Sequence, residues 1–190
     1  GSPVPDYPFL KEGKDGHQII QRHVSGVEKH PSLEYLTVKF PIVETMDFDP
    51  KCKFEHEWGD KYKIIGFFDG LDEGNSRLLE IKTAGSGGWS MSKYKNSMQR
   101  KLYAMCKPDI LESYLITCDR NVDNWKQNPP KVFCVKNTEE DILDAMDWVT
   151  EAVRRLEHHE FNGGLDENKK CQGCFWNMAG FPQLANCHFK

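Results

Sequence analysis

The sequence predicts an α/β domain on a mixed sheet, in the order helix, three strands, helix, two strands, helix and a cysteine-bearing tail. Two observations carry this. Short apolar or alternating runs bounded by Gly, Pro and Asn read as strands, and they are interleaved with segments whose apolar residues recur at helical spacing. A third bounds the size: 190 residues can bury one real core, so a single domain over residues 1–164 with a tail over 165–190 packed on it is expected.

The elements follow in order. "GSPVPDYPFL" is Pro-rich and expected to be extended, and "GKDGHQIIQRHVS" carries Ile19, Ile20 and Val24 at helical spacing. "TVKFPIVETM" and "CKFEHEWG" are strand-like, the first interrupted by Pro41 and therefore expected near an edge. "KIIGFFDG" and "RLLEIKTA" flank Gly74-Asn75, a two-residue turn signal, and so predict a hairpin. "SMSKYKNSMQRKLYAMCKP" places Tyr94, Met98, Leu102 and Met105 on one helix, capped by Ser90 or Ser92 and stopped by Pro108. "ESYLITCD" and "KVFCVKN" read as strands. From Thr138 the chain shows a capping box (Thr138 with Asp141) and an apolar stripe through Ile142, Met146, Val149, Val153 and Leu156, with Gly163 just past its end.

Charge narrows the function classes. A net charge of −4 argues against a simple cationic nucleic-acid binder, and no apolar run is long enough for a membrane span. No signal-peptide pattern opens the chain, and seven scattered cysteines are an odd set better suited to reduced thiols than to a disulfide framework.

The hairpin carries the chemistry. A register that sets Glu73 against Ser76 puts Asp69 opposite Glu80, with Lys82 on the same face one step along. Facing carboxylates repel across a ladder, and Mg²⁺ or Mn²⁺ between them would offset that repulsion. Lys82 beside such a cation could orient or help deprotonate a water, or stabilise a phosphorane-like transition state. The plain alternative is a solvated strand face with Lys82 as a surface partner; the apolar "IIGFFDG" favours a buried acid. Gln99 and Tyr103 are four apart and share a helix face, and Lys93, Lys95, Arg100 and Lys101 make that segment locally basic. Trp89 and Tyr94 could stack on bases; the plain alternative for Tyr103 is a core position.

"GFFDGLD", then "LLEIKT", then "MQRKLYAM" resembles the signature of the PD-(D/E)XK nuclease superfamily, and within it the RecB-like exonucleases, including CRISPR-associated and phage members. The resemblance spans about Gly13 to Ala104 and includes the Gly16-His17 pair. It implies a restriction-endonuclease-like core, with His17, Asp69 and Glu80 binding a catalytic Mg²⁺ or Mn²⁺ and Asp69, Glu80 and Lys82 forming the catalytic set. Gln99 and Tyr103 would contact DNA or brace the site; apart from the resemblance, the basic charge of Lys93, Lys95 and Arg100 suits a path for a phosphate backbone. The resemblance implies a DNA exonuclease acting on single-stranded or frayed ends, in recombination, repair, phage DNA processing or CRISPR adaptation. A protein partner from such a process and the cytoplasm of a bacterial, archaeal or phage-infected cell go with it. A nuclease-fold binding module that does not cut, and a restriction-type endonuclease, are the alternatives.

In the tail, "CQGCFW" sets Cys171 and Cys174 in a C-x₂-C knuckle, with Cys187-His188 further on. Such a knuckle suits Zn²⁺ or an iron–sulfur cluster. Some RecB-like nucleases hold a [4Fe–4S] cluster with three such cysteines and a fourth before the first helix. Here the spacing to Cys187 is longer and no cysteine precedes His17, so zinc, iron–sulfur and no metal stay open.

Overall fold

The structure is a computed structural model in which residues 8–44, 50–85 and 88–158 are described. The chain divides into two compact units at Met146/Asp147, and the unit from Tyr7 to Met146 contains every described strand. Of the other unit, only residues 147–158 lie among those described.

The larger unit opens with α1 (Pro8–Ser25), which begins in the stretch expected to be extended. Proline suits the first helical turn, where its missing N–H would have no partner anyway. A single 3₁₀ turn at Pro31–Leu33 leads to β1 (Ile42–Val43), far shorter than the predicted strand; with Pro41 beside it, it forms one edge of the sheet. β2 (Lys53–Trp58) and β3 (Tyr62–Phe67) form a separate antiparallel pair. Gly66 is required there, because a Cβ would fall within 2.3 Å of the Phe54 ring.

The main sheet has the order β1-β4-β5-β6-β7, where β4 is Gly70–Asp72, β5 Arg77–Ala84, β6 Glu112–Asp119 and β7 Lys131–Lys136. β5 and β6 are parallel and the other pairs antiparallel, so the sheet is mixed. A parallel pair needs a long crossover, and here it carries α2 (Met91–Lys95) and α3 (Met98–Cys106).

Two corrections to the sequence reading matter for the site. "IIGFFDG" is not one central strand. β3 ends at Phe67, β4 starts at Gly70, and the chain changes sheets between them as Phe68 N–H donates to the Cys52 carbonyl and Glu44 N–H to that of Asp69. Ile65 on β3 is accordingly 54% exposed. The predicted helix from Ser90 to Pro108 is likewise two helices, broken at Asn96–Ser97, with Ser90 capping the first through Lys93 N–H.

α4 (Glu139–Glu157) starts on the predicted box: Thr138 N–H donates to Asp141 at 3.1 Å and Asp141 N–H donates back to Thr138 Oγ1 at 3.2 Å. Its stripe departs from expectation. Ala145 and Val149 are buried, whereas Met146 and Leu156 are exposed.

β5 separates two apolar layers by its period of two. Leu79 and Ile81 pack with Ile20 and Val24 of α1, Ile116 and Trp125; Leu78, on the opposite face, packs with Phe54, Phe68 and Tyr103. Glu80 and Lys82 therefore share the Leu78 face, the side of α3. No described helix is long and apolar enough to cross a membrane.

Candidate active site

Asp69 lies at the junction where the chain leaves one sheet for the other, and Glu80 in the middle of β5. They are 9% and 4% exposed, which removes the solvated-face reading. The ladder pairs Gly70 with Leu79 and Asp72 with Arg77, the register expected from the turn. Glu73–Asn75 form a 3₁₀ turn closed by Ser76 N–H on the Glu73 carbonyl, with Ser76 at φ 53°. Asp69 Oδ2 then accepts the Ile81 N–H at 2.5 Å.

The repulsion between the two acids is offset by neighbours of the chain itself. Lys82 Nζ is ion-paired with Glu80 Oε1, and Gln99 Nε2 donates to the same oxygen at 3.0 Å. Gln99 Oε1 accepts from Lys82 Nζ at 2.9 Å. Gln99 Nε2 also lies 2.6 Å from the Tyr103 hydroxyl, which donates to the Phe67 carbonyl at 3.0 Å, next to the Asp69 junction. Tyr103 is 7% exposed among Phe54 and Phe68, so it braces the site from the core. Burial first, and then the charge of Asp69, push the Glu80 carboxyl up to about 7, against the opposing pull of Lys82.

His17 comes from α1, which crosses β5 closely because it carries two glycines. A Cβ at Gly13 would come within 3.1 Å of Thr83 Oγ1, and one at Gly16 within 3.3 Å of Trp125 Cζ2. His17 Nε2 stands 3.2 Å from Asp69 Oδ1, an ion pair when the ring is protonated, and this buried nitrogen has no other polar partner among the described residues. Burial lowers the affinity of His17 for a proton, yet the carboxylates of Asp69, Glu80 and Glu44 outweigh it and hold the imidazole above its ordinary value. Glu44, at the end of β1, is an acid of this neighbourhood that no sequence motif flagged.

The donor types could suit a hard divalent cation: an imidazole nitrogen beside a carboxylate oxygen, with a second buried carboxyl near it. It is not a finished cage. Among the described residues no three His, Cys, Asp or Glu side chains are arranged to hold a metal ion. Lys82 and Gln99 take up Glu80 Oε1 instead.

Other expected site residues fall elsewhere. Arg100 does not face solvent. It is 1% exposed, with Nη1 and Nη2 on Asp141 at 3.0 and 2.5 Å, so the DNA-contact reading is corrected to a structural ion pair between α3 and the start of α4. Lys101 pairs with Asp144, which removes another charge from the basic face. Tyr94 is 2% exposed and packs with Leu115 and Val135, so it offers no surface for a base. Lys93 and Lys95 are exposed, and Lys93 Nζ lies 4.6 Å from the Trp89 ring centroid. Cys171, Cys174, Cys187 and His188, and the boundary at residues 164/165, lie outside the described residues. Cys52, Cys106, Cys118 and Cys134 are free thiols.

Comparison with known proteins found no matching family model, curated protein or solved structure.

Proposed function

We propose that the chain is a divalent-metal-dependent deoxyribonuclease of the PD-(D/E)XK, RecB-like kind, acting as an exonuclease on single-stranded or frayed DNA ends. One observation carries this reading: Asp69, Glu80 and Lys82 converge around a strand junction, both acids buried, with His17 Nε2 3.2 Å from Asp69 Oδ1. Buried carboxylates gathered with a lysine and a histidine are the kind of cluster found at functional sites. The restriction-endonuclease-like core belongs to the same proposal. So do a cytoplasmic setting and a partner from recombination, repair or CRISPR adaptation.

His17, Asp69 and Glu80 would hold Mg²⁺ or Mn²⁺, which supplies Lewis acidity and lowers the pKa of a bound water. Lys82 positions its ammonium where charge grows on the phosphoryl oxygens. The attacking water, oriented beside Lys82, gives up its proton to solvent. The new bond joins water oxygen to phosphorus, the ester P–O bond breaks, and the departing oxygen takes up a proton. Gln99 and Tyr103 hold Lys82 and Glu80 in register during this exchange.

A second reading, a nuclease-fold module that binds nucleic acid without cutting it, is favoured by the Lys82–Glu80 ion pair and by the lack of a three-ligand arrangement among the described residues. Cleavage of end-labelled single-stranded and duplex DNA with Mg²⁺ or Mn²⁺ separates the two. Loss of cleavage in both Lys82→Ala and Glu80→Ala supports the enzyme; an inert wild type in every metal supports the module. Discrete fragments from circular duplex would point instead to a restriction-type endonuclease.

A further inference from the structure

We infer that a notch at the C-terminal ends of β5 and β6 seats one unpaired nucleobase on Trp89, within a nucleotide of the phosphate at Lys82. This rests on the nuclease reading and names its substrate more narrowly, as a strand whose terminal bases are free.

Parallel strands open a crevice beyond their carboxyl ends, where their outgoing loops diverge. β5 and β6 are the parallel pair of this sheet and end at Ala84 and Asp119. Just beyond lies a cavity of about 220 Å³ lined by Trp89, Thr117, Asp119, Asn128 and Lys131. Gly85 and Gly88 contribute wall without side chains, beside Cys118 and Pro129. At Gly85 the guanidinium of Arg120 lies close to the backbone, with Nη2 2.6 Å from where a Cβ would stand.

The indole is held in place. Trp89 packs against Tyr94, Leu115 and Val135, and its backbone N–H lies 3.4 Å from Oγ1 of the buried Thr117. Part of the ring stays open, with two ammonium groups over it: Lys82 Nζ at 5.6 Å and Lys93 Nζ at 4.6 Å from the centroid. A phosphate drawn to those ammoniums brings its nucleoside against the indole, since every base offers a π-face and stacking on tryptophan tolerates any sequence. Lys82 is shared between the acid cluster and the indole, which fixes the spacing of cut bond and stacked base.

The rim predicts weak base preference. Both Asp119 carboxylate oxygens are engaged, by Asn121 N–H at 2.9 Å and Asn124 Nδ2 at 3.2 Å, so Asp119 shapes the loop and does not read a base edge. Among the described lining residues, Asn128 and Lys131 are exposed and carry polar side chains for edge contacts. A base inside a duplex is stacked on both sides and cannot enter without being extruded.

The test is anisotropy of a fluorescently labelled six-nucleotide single-stranded DNA with the full chain in Ca²⁺, with cleavage in Mg²⁺ followed in parallel. Trp89→Ala weakens binding by about 5- to 150-fold, the range set by one lost base stack, and Trp89→Phe retains most of it. An abasic site at the stacked position costs wild type a similar factor and costs Trp89→Ala nothing further. Equal binding by wild type and Trp89→Ala, or an abasic penalty that persists in Trp89→Ala, overturns the inference. The abasic probe on wild type needs no variant to fold. A Trp89-dependent stack without cleavage in any metal sinks the nuclease and keeps the base seat; cleavage with an unchanged KM in Trp89→Ala sinks the seat alone.

Discussion

Gln99 holds Lys82 by its carbonyl at 2.9 Å, and the amide nitrogen of the same side chain donates to the Glu80 oxygen that Lys82 pairs with. A neutral amide thus fixes the relative position of an ammonium and a carboxylate in a buried place. Gln99→Ala is expected to lower the cleavage rate by about 10- to 100-fold through kcat, because small misplacements of catalytic groups are that costly. KM should change little. A loss confined to KM would assign Gln99 to substrate binding.

The pH dependence of stability follows from Glu80 and His17. The folded chain keeps a proton on Glu80 up to about 7, whereas the unfolded carboxyl loses it near 4.5, so this group's contribution to stability falls as pH rises across that window. His17 acts in the same direction: its contribution is complete below 6.5 and is lost as pH rises through its higher folded value. Between pH 5 and 8, wild type should lose ~1–3 kcal/mol more than Glu80→Gln, since one pKa unit corresponds to about 1.4 kcal/mol. Urea unfolding at the two pH values measures this, and parallel slopes for the two proteins would count against it.

Divalent cations should reverse that loss. A metal bound to folded carboxylates stabilises by mass action and drives the Glu80 proton off. Mn²⁺ at pH 8 should raise the Tm of wild type and leave that of Glu80→Gln and Asp69→Asn where it was. A uniform rise in all three would reveal only general ion effects.

Arg100 is expected to matter for stability. Removing one partner of a buried pair strands the other, at a cost of ~3–5 kcal/mol. Arg100→Ala should lower the urea midpoint accordingly, and Arg100→Lys should not rescue it, because lysine lacks the fork that meets both Asp141 oxygens. A stable Arg100→Ala with weakened DNA binding would restore the surface reading.

Gly16 offers a test of local preference against packing. Alanine is favoured over glycine inside a helix by about 1 kcal/mol. Here the added methyl would meet Trp125, itself 1% exposed and unable to move aside, at 3.3 Å. Gly16→Ala should therefore fail to stabilise and should weaken Mn²⁺ binding as α1 is pushed off β5. A higher Tm would show that the helix has room to spare.

What the sequence revealed was local. The Gly74-Asn75 turn gave the register of β4 on β5, and Thr138 with Asp141 marked the start of α4, since turn and cap chemistry act over three or four residues. The break at Phe68–Asp69 was hidden because it depends on bonds to Cys52 and Glu44, made by distant segments. Arg100 read as a surface residue for the same reason, since Asp141 lies 41 residues further on, and the base-stacking role considered for Tyr94 fails because Leu115 and Val135 of later strands cover it. The notch at Trp89 has no motif at all, being assembled from loops that meet only once β5 and β6 pair.

The crossover between β5 and β6 has one further consequence. The contacts of Gln99 with Lys82 and Glu80 span only 17 and 19 residues, within a single strand–helix–strand unit, so they close early. The imidazole of His17 arrives by docking a helix from the far end of the chain. Lys82 and Gln99 hold Glu80 from within that unit, by contacts that do not involve α1.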